Sequence, residues 1–228
     1  MIYDTFNKRK HVITYKKNII PSREQIDNLI KKTWELTPSK NNTMAYEVFV
    51  LGPDKQKEKN EVYKRSVSNH FRVEDNALAK GNLHKSIHLE NINYGHMLSC
   101  PYLLVITQRV LKEMNEYYKI AIEKDGHYAE QLFEHELDTI ESLTALEVGL
   151  FANILTGLCV EDNLDVSYTS CFERDVSKWQ PELNFVKRLP LLLMSIGKGD
   201  IYRWQRLKEK NETHLDTKAD YNDVVKWL

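Results

Sequence analysis

The chain has 228 residues, with 32 basic against 33 acidic side chains and a formal net charge of −1. That balance argues against a dominant nucleic-acid or membrane-surface role, and the length suits one domain spanning residues 1–228. Three cysteines without CxxC spacing argue against a disulfide framework or a cysteine zinc site; with no signal-peptide pattern and no apolar run read as bilayer-spanning, the expected location is the cytoplasm.

Residues 1–17 are basic at their centre, with Lys8, Arg9, Lys10, His11, Lys16 and Lys17. Such a run is either a solvated face or an anion site, where cationic groups meet a phosphate through charge-assisted hydrogen bonds. A helix follows up to Leu36. Ser22 is its N-cap and Gln25 completes a capping box. Ile26, Leu29, Ile30 and Trp34 form the predicted buried stripe, and Pro38 ends the helix. The next loop, Thr37-Pro38-Ser39-Lys40-Asn41-Asn42-Thr43, is rich in short polar side chains. It reads as a turn or as a binding loop between a helix and a strand.

Residues 45–51 read as a strand, and a charged segment runs to about residue 74. A helical pattern covers 87–100, followed by a strand over 102–107. Residues 111–140 read as one or two polar-faced helices carrying Tyr and Phe. The strongest helical signal is 141–158, with Leu143, Leu146, Leu150, Ile154 and Leu158 on one face and Val148, Phe151 and Leu155 widening it. Ala145, Gly149, Ala152 and Gly157 would let another backbone approach. This helix is either a plain core helix or a core helix that also packs on a second subunit. Residues 165–168 are strand-like, 172–186 read as two short helical pieces broken at Pro181, and 191–197 form an apolar strand covered on both faces. The tail from Gly199 is basic at first, with Arg203, Arg206, Lys208 and Lys210, then ends in Val224, Val225, Trp227 and Leu228.

The chain has no GxGxxG, P-loop or GxSxG motif. His84 and His88 have a spacing that could hold a metal, but no third ligand accompanies them, so no metal site is assigned. Cys171 reads as a buried or half-buried thiol. Composition and spacing alone lead to an α+β domain with a basic N-terminal patch and a polar loop.

Several segments, in their order, resemble the nitroreductase family of flavin enzymes. They are Lys8-Arg9-Lys10-His11 with Tyr15, the loop 37–42, the helix segment 149–158, and Ile196-Gly197. The resemblance covers roughly residues 4–197. It implies an α+β fold with a central mixed, mostly antiparallel sheet flanked by helices, and a long central helix at a homodimer interface. It also implies FMN as cofactor and NAD(P)H as co-substrate. Hydride would pass through the flavin to a small electron-poor acceptor, a nitro compound or quinone, in ping-pong order. The alternatives are reductive dehalogenation, flavin breakdown, and non-catalytic flavin binding. No protein residue need be catalytic in the acid–base sense, and no nucleic acid or membrane partner is implied.

By the same resemblance Arg9, Lys10 and His11 hold the phosphate. His11 stands where the family usually has Ser, and Ile13 where many members have a second basic residue. Ser39, Lys40 and Asn42 lie against the flavin of the other subunit, and Asn91 or Asn93 (Asn93 preferred) meets its pyrimidine edge. Ser170 and Cys171 supply backbone N–H groups facing N5, where many members have Glu-Gly. Arg206 or Lys208 matches the late basic residue at the phosphate. Residues 111–140 would form a lid-like excursion, and 199–228 an extension on the partner subunit.

Overall fold

A computed structural model of the chain describes residues 2–66, 95–109, 116–125, 127–170 and, apart from positions 171, 174, 181 and 189, 172–209, together with 211 and 218–226. The alternation of apolar residues builds a four-stranded sheet in the order β2-β3-β5-β4, from β2 (Tyr46–Leu51), β3 (Tyr102–Gln108), β4 (Asp165–Thr169) and β5 (Pro190–Gly197). Two short strands, β1 (Val12–Tyr15) and β6 (Gly199–Tyr202), form a second, two-stranded sheet. Every pairing among the described residues is antiparallel, so the expected mixed character is not seen there.

The period of two along β3 divides the core. Leu104 and Ile106 face the layer made by α2 (Arg23–Leu36) and the long helix α6 (His127–Glu161), against Ile26, Phe151 and Leu155. Leu103 and Val105 face the opposite layer, against Val62, Met97, Phe172 and Trp179. Val62 belongs to α3 (residues 56–66) and Met97 to α4 (Gly95–Ser99). The sheet is thus covered on both faces, as the unbroken apolar run 191–197 implies. The short α1 (Ile2–Asn7) crosses α6 where Gly157 leaves room: a Cβ there would lie 3.4 Å from the Phe6 ring. Thr5 Oγ1 ties the crossing by donating to Glu161 Oε1 at 3.2 Å. Helices α5 (Glu116–Asp125), α7 (Arg203–Glu209) and α8 (Tyr221–Val224) complete the described elements.

Several expectations are corrected. In α2, Ser22 does cap, accepting from the Gln25 N–H, but the Gln25 side chain donates to Asp162 Oδ2 at 2.6 Å instead of returning to the cap. The inner face of α2 runs through Ile26, Leu29 and Thr33, which turns Trp34 outward to 51% exposure. The long helix runs from His127 and is straddled by two apolar faces. Val148, Phe151, Ala152, Leu155 and Cys159 form the buried one, while Leu146 and Leu150, expected inside, are exposed at 62% and 37%. Segment 144–161 is long and apolar enough to cross a bilayer, contrary to the reading of the sequence, but its inner face packs on the sheet. Among the described residues of 172–186 there is no α-helix. Glu173 and Asp175 take local backbone donors, and a single 3₁₀ turn at Val176–Lys178 results. The strands β1 and β6 are too short to show a sequence period, so they escape sequence reading.

Candidate functional site

The cationic N-terminal patch sits where three strands meet. Val12 N–H donates to Ser167 Oγ at 2.8 Å, and that hydroxyl donates back to the Val12 carbonyl at 2.8 Å. Val12 also pairs with Tyr202, and the Arg203 N–H donates to the His11 carbonyl at 2.9 Å. These bonds gather residues 9–11, the end of β4, and the β6–α7 corner at one end of β1. The Arg9 guanidinium lies 5.1 Å from the centre of the Tyr168 ring, and Lys10 Nζ 5.3 Å from that of Tyr202. Both phenols are pushed up to about 12, chiefly by burial. They therefore stay neutral at ordinary pH, and the cations meet ring faces. Both cations are exposed, and among the described residues no carboxylate is paired with either. A cation on an aromatic face retains its N–H donors for an incoming anion.

Ile13 is 1% exposed and belongs to the core. The cations near this position are therefore Arg9 and Lys10 before β1 and the basic residues of α7. Lys208 is exposed on α7; Arg206 lies on the same helix, its side chain outside the described residues.

The loop at 39–45 has a different anchor. Glu147, on α6 and 6% exposed, accepts from Ser39 Oγ at 2.9 Å, Lys40 N–H at 3.0 Å and Ala45 N–H at 3.2 Å. Ser39 Oγ in turn accepts from the Met44 N–H at 2.8 Å. The Ser39 hydroxyl, expected to meet a ligand, is engaged inside the loop. Asn41, Asn42 and Met44 have φ of 53°, 54° and 48°. Three left-handed non-glycine residues so close together are costly and persist only where surrounding contacts over-determine them. Glu147 and Arg109, whose Nη2 donates to the Thr43 carbonyl, supply those contacts. Tyr168 meets Thr156 through their hydroxyls, about 14 Å of helical rise beyond Glu147. One helix thus carries both the loop anchor and the support for the Arg9–Tyr168 pair.

Beneath the cationic corner lies a buried hydroxyl–imidazole network. His96 is 1% exposed, with Nδ1 2.8 Å from Ser195 Oγ and Nε2 3.1 Å from Thr169 Oγ1. Tyr15 OH donates to the Ser195 carbonyl at 2.9 Å. Burial first, and the neighbouring His11 second, lower His96 from 6.5 to about 3. The unfolded chain therefore binds a proton at this residue between those two values while the folded chain does not. Stability from this group is fully present above pH 6.5 and is lost as pH falls toward 3. The loss is at most about 1.4 kcal/mol per pH unit. Urea melts between pH 7 and 4 should show that slope, and His96→Gln should flatten it. An unchanged slope in the variant would exclude His96 as its source.

The fold places Arg9, Lys10 and His11 at the corner of β1, β4 and β6 where α7, the helix that carries Arg206 and Lys208, begins; Ser170 directly follows β4. It ties Ser39 and Lys40 to Glu147, while the Asn42 N–H donates to the Ser39 carbonyl within the same loop. Asn91, Asn93, Cys171, His84 and His88 lie outside the described residues, as do residues 111–115, Lys210, Trp227 and Leu228. Sequence reading missed Tyr168, Tyr202, Glu147 and His96. Glu147 has a legible signal, being the one charged residue between Glu141 and Glu161 on an apolar helix. The tyrosines and His96 have none, because only the strand pairing places them.

No protein-family model and no curated protein matches the sequence. Solved structures do match its fold. A proposed NAD(P)H:FMN oxidoreductase from Staphylococcus epidermidis superposes with a TM-score of 0.66 at 18% identity, covering 100% of this chain and 96% of that one. A proposed nitroreductase from Exiguobacterium sibiricum in complex with FMN gives 0.61 at 15% identity, covering 100% and 97%. Oxidized iodotyrosine deiodinase bound to FMN and 3-iodo-L-tyrosine gives 0.57 at 17% identity, covering 89% and 92%. The chain has the nitroreductase-like fold over its whole length.

Proposed function

We propose that this chain is an FMN-dependent oxidoreductase that takes hydride from NAD(P)H and delivers it to an electron-poor small molecule, a nitro compound or a quinone. The observation that carries the reading is the cationic corner on a fold shared with FMN proteins: Arg9 and Lys10 project from one end of β1 onto Tyr168 and Tyr202 with no carboxylate partner among the described residues. That donor set suits a phosphate, whose charge needs cations with unspent N–H groups.

In this reading Arg9 and Lys10 hold the phosphate, with Arg206 and Lys208 on α7 as further cations. Asn93 would meet the pyrimidine edge. The backbone at Ser170 and Cys171, at the end of β4, would face the ring system. The flavin itself supplies the two-electron redox chemistry when bound. The protein's contribution is to orient it, to keep a cationic environment at the phosphate, and to exclude water from the ring.

The reading requires a homodimer, with Ser39, Lys40 and Asn42 facing the partner's flavin. Its support is the outer face of α6, where Leu146 and Leu150 are exposed and a Cβ on Gly149 would meet nothing within 4 Å. A leucine at 149 thus fits a single chain without strain but would obstruct a second copy packed there. Gly149→Leu is expected to shift the protein toward monomer by light scattering while leaving its circular dichroism unchanged. A dimer of unaltered affinity would remove this face from the interface. Residues 111–140 would shape acceptor choice, and 199–228 would pack on the partner.

The test of function is turnover. Purified protein supplied with FMN should be bleached by NADH or NADPH under argon and recoloured by a quinone or nitroaromatic. Flavin binding without bleaching would leave a non-catalytic flavin protein, which the departures at His11, Ile13 and Ser170 would then explain. The fold likeness to iodotyrosine deiodinase supports a second reading, reductive dehalogenation. Halide release from a halogenated phenol under the same conditions would select it.

A further inference from the structure

At the opposite end of β1 from Arg9 is a second cationic feature that the flavin reading does not use. Lys59, on α3, is 1% exposed, and its Nζ donates to the carbonyls of Cys100 at 3.0 Å and Pro101 at 3.1 Å. An ammonium has three donors, and among the described residues the third has no acceptor. No salt bridge to Lys59 is found among those residues either, and burial is the first cause lowering its affinity for the proton. Asp54 acts on it only through space, without a salt-bridge contact, and a buried cation so weakly balanced is expensive unless something compensates it.

The same lysine lines a pocket of about 360 Å³ together with Lys16 and Lys17. Gln56, Pro53 and Leu98 form other parts of the wall, and no Asp or Glu contributes to it. Lys16 is fixed at the end of β1 by its N–H, which donates to the Lys198 carbonyl at 2.8 Å. Its side chain and that of Lys17 are exposed at the mouth. The walls thus carry three positive charges and no negative one.

We propose that this pocket is a binding site for a phosphoryl group, held by Lys59 from its floor and by Lys16 and Lys17 at its mouth. Charge density selects the ligand class. Three ammonium groups act as point charges and match a compact dianion, whereas a planar carboxylate is better matched by an arginine fork, and no Arg lines the pocket. The volume accommodates orthophosphate with room for part of an ester. The site lies beyond Tyr15, while Arg9 and Lys10 precede Val12, so β1 separates it from the corner assigned to FMN. The inference stands whether or not the chain is a flavin enzyme.

The experiment is thermal melting of the full chain, with FMN at saturation, against increasing sodium phosphate, using sodium chloride of equal ionic strength as reference. Adenosine monophosphate forms a second series. Phosphate should raise the melting temperature along a saturating curve in the wild type and equally in Arg9→Ala. Lys16→Ala/Lys17→Ala should weaken the apparent affinity at least about tenfold, the scale of one lost charge-assisted contact. Lys59→Met, which keeps the stem and removes the charge, should abolish the effect, and the surface pair decides the matter if that variant does not fold. Tighter binding of the nucleotide would identify an esterified ligand, and equal binding free phosphate. A response no larger than that to chloride, or one lost in Arg9→Ala and retained in the lysine pair, would overturn the assignment.

Discussion

Replacing Glu147 by Ala is expected to destabilise the protein by on the order of 3 kcal/mol, because it strands the donors that the carboxylate now satisfies. Ser39 Oγ, Lys40 N–H and Ala45 N–H all end on this one side chain. Each donor left without an acceptor away from water costs about 1–3 kcal/mol, less where solvent can enter. The left-handed residues Asn41, Asn42 and Met44 would at the same time lose the contact that holds their geometry. For a chain of this size the loss corresponds to a fall in melting temperature of roughly 6–12 °C. Glu147→Gln keeps one acceptor oxygen but turns an amide donor toward the remaining N–H, and should fall between the two. A melting temperature unchanged in Glu147→Ala would mean that the loop does not depend on this anchor.

The second large effect is on ligand affinity and leaves the fold alone. Arg9→Ala is expected to weaken FMN binding about 10- to 100-fold, the equivalent of losing one charged hydrogen bond of about 1.5–3 kcal/mol. Arg9 is exposed, and its side chain meets the core at Tyr168. The stability of the flavin-free protein should therefore change by no more than is usual for surface substitutions, about 0.5 kcal/mol. Ile13, which stands where a second charge is common in the resembling family, is core and cannot take over. Flavin fluorescence titration measures the difference, and an unchanged dissociation constant would move the phosphate away from this corner.

Much of the fold was legible because it follows from period and capping. The run 191–197 reads as a strand covered on both faces and the segment 102–107 as an apolar strand, and they form the centre of the sheet. Ser22 and Pro38 marked the ends of α2 correctly. What misled was the choice of inner face. Leu146 and Leu150 have core composition yet face outward, since apolar residues surround the helix and hydrophobicity cannot say which side meets the sheet. Trp34 failed for a related reason: Thr33 fills the inner position and satisfies its hydroxyl on the Leu29 carbonyl.

The candidate site was legible where it is carried by charge and opaque where it is carried by pairing. Arg9 and Lys10 announce themselves in a basic run. Their ring partners Tyr168 and Tyr202 do not, because each is brought in by the antiparallel contact of β1 with β6 and by the Ser167 link to β4. Ser39 stood out in the sequence as a residue expected to face a flavin, and in the structure its hydroxyl donates to Glu147.

The most direct measurement is a titration of the purified, flavin-stripped protein with FMN, followed by flavin fluorescence and the visible absorption band. The account predicts saturable binding at one FMN per chain, weakened in Arg9→Ala, and bleaching of the bound flavin by NADH or NADPH. A protein that leaves the FMN spectrum and fluorescence unchanged at every concentration would contradict it.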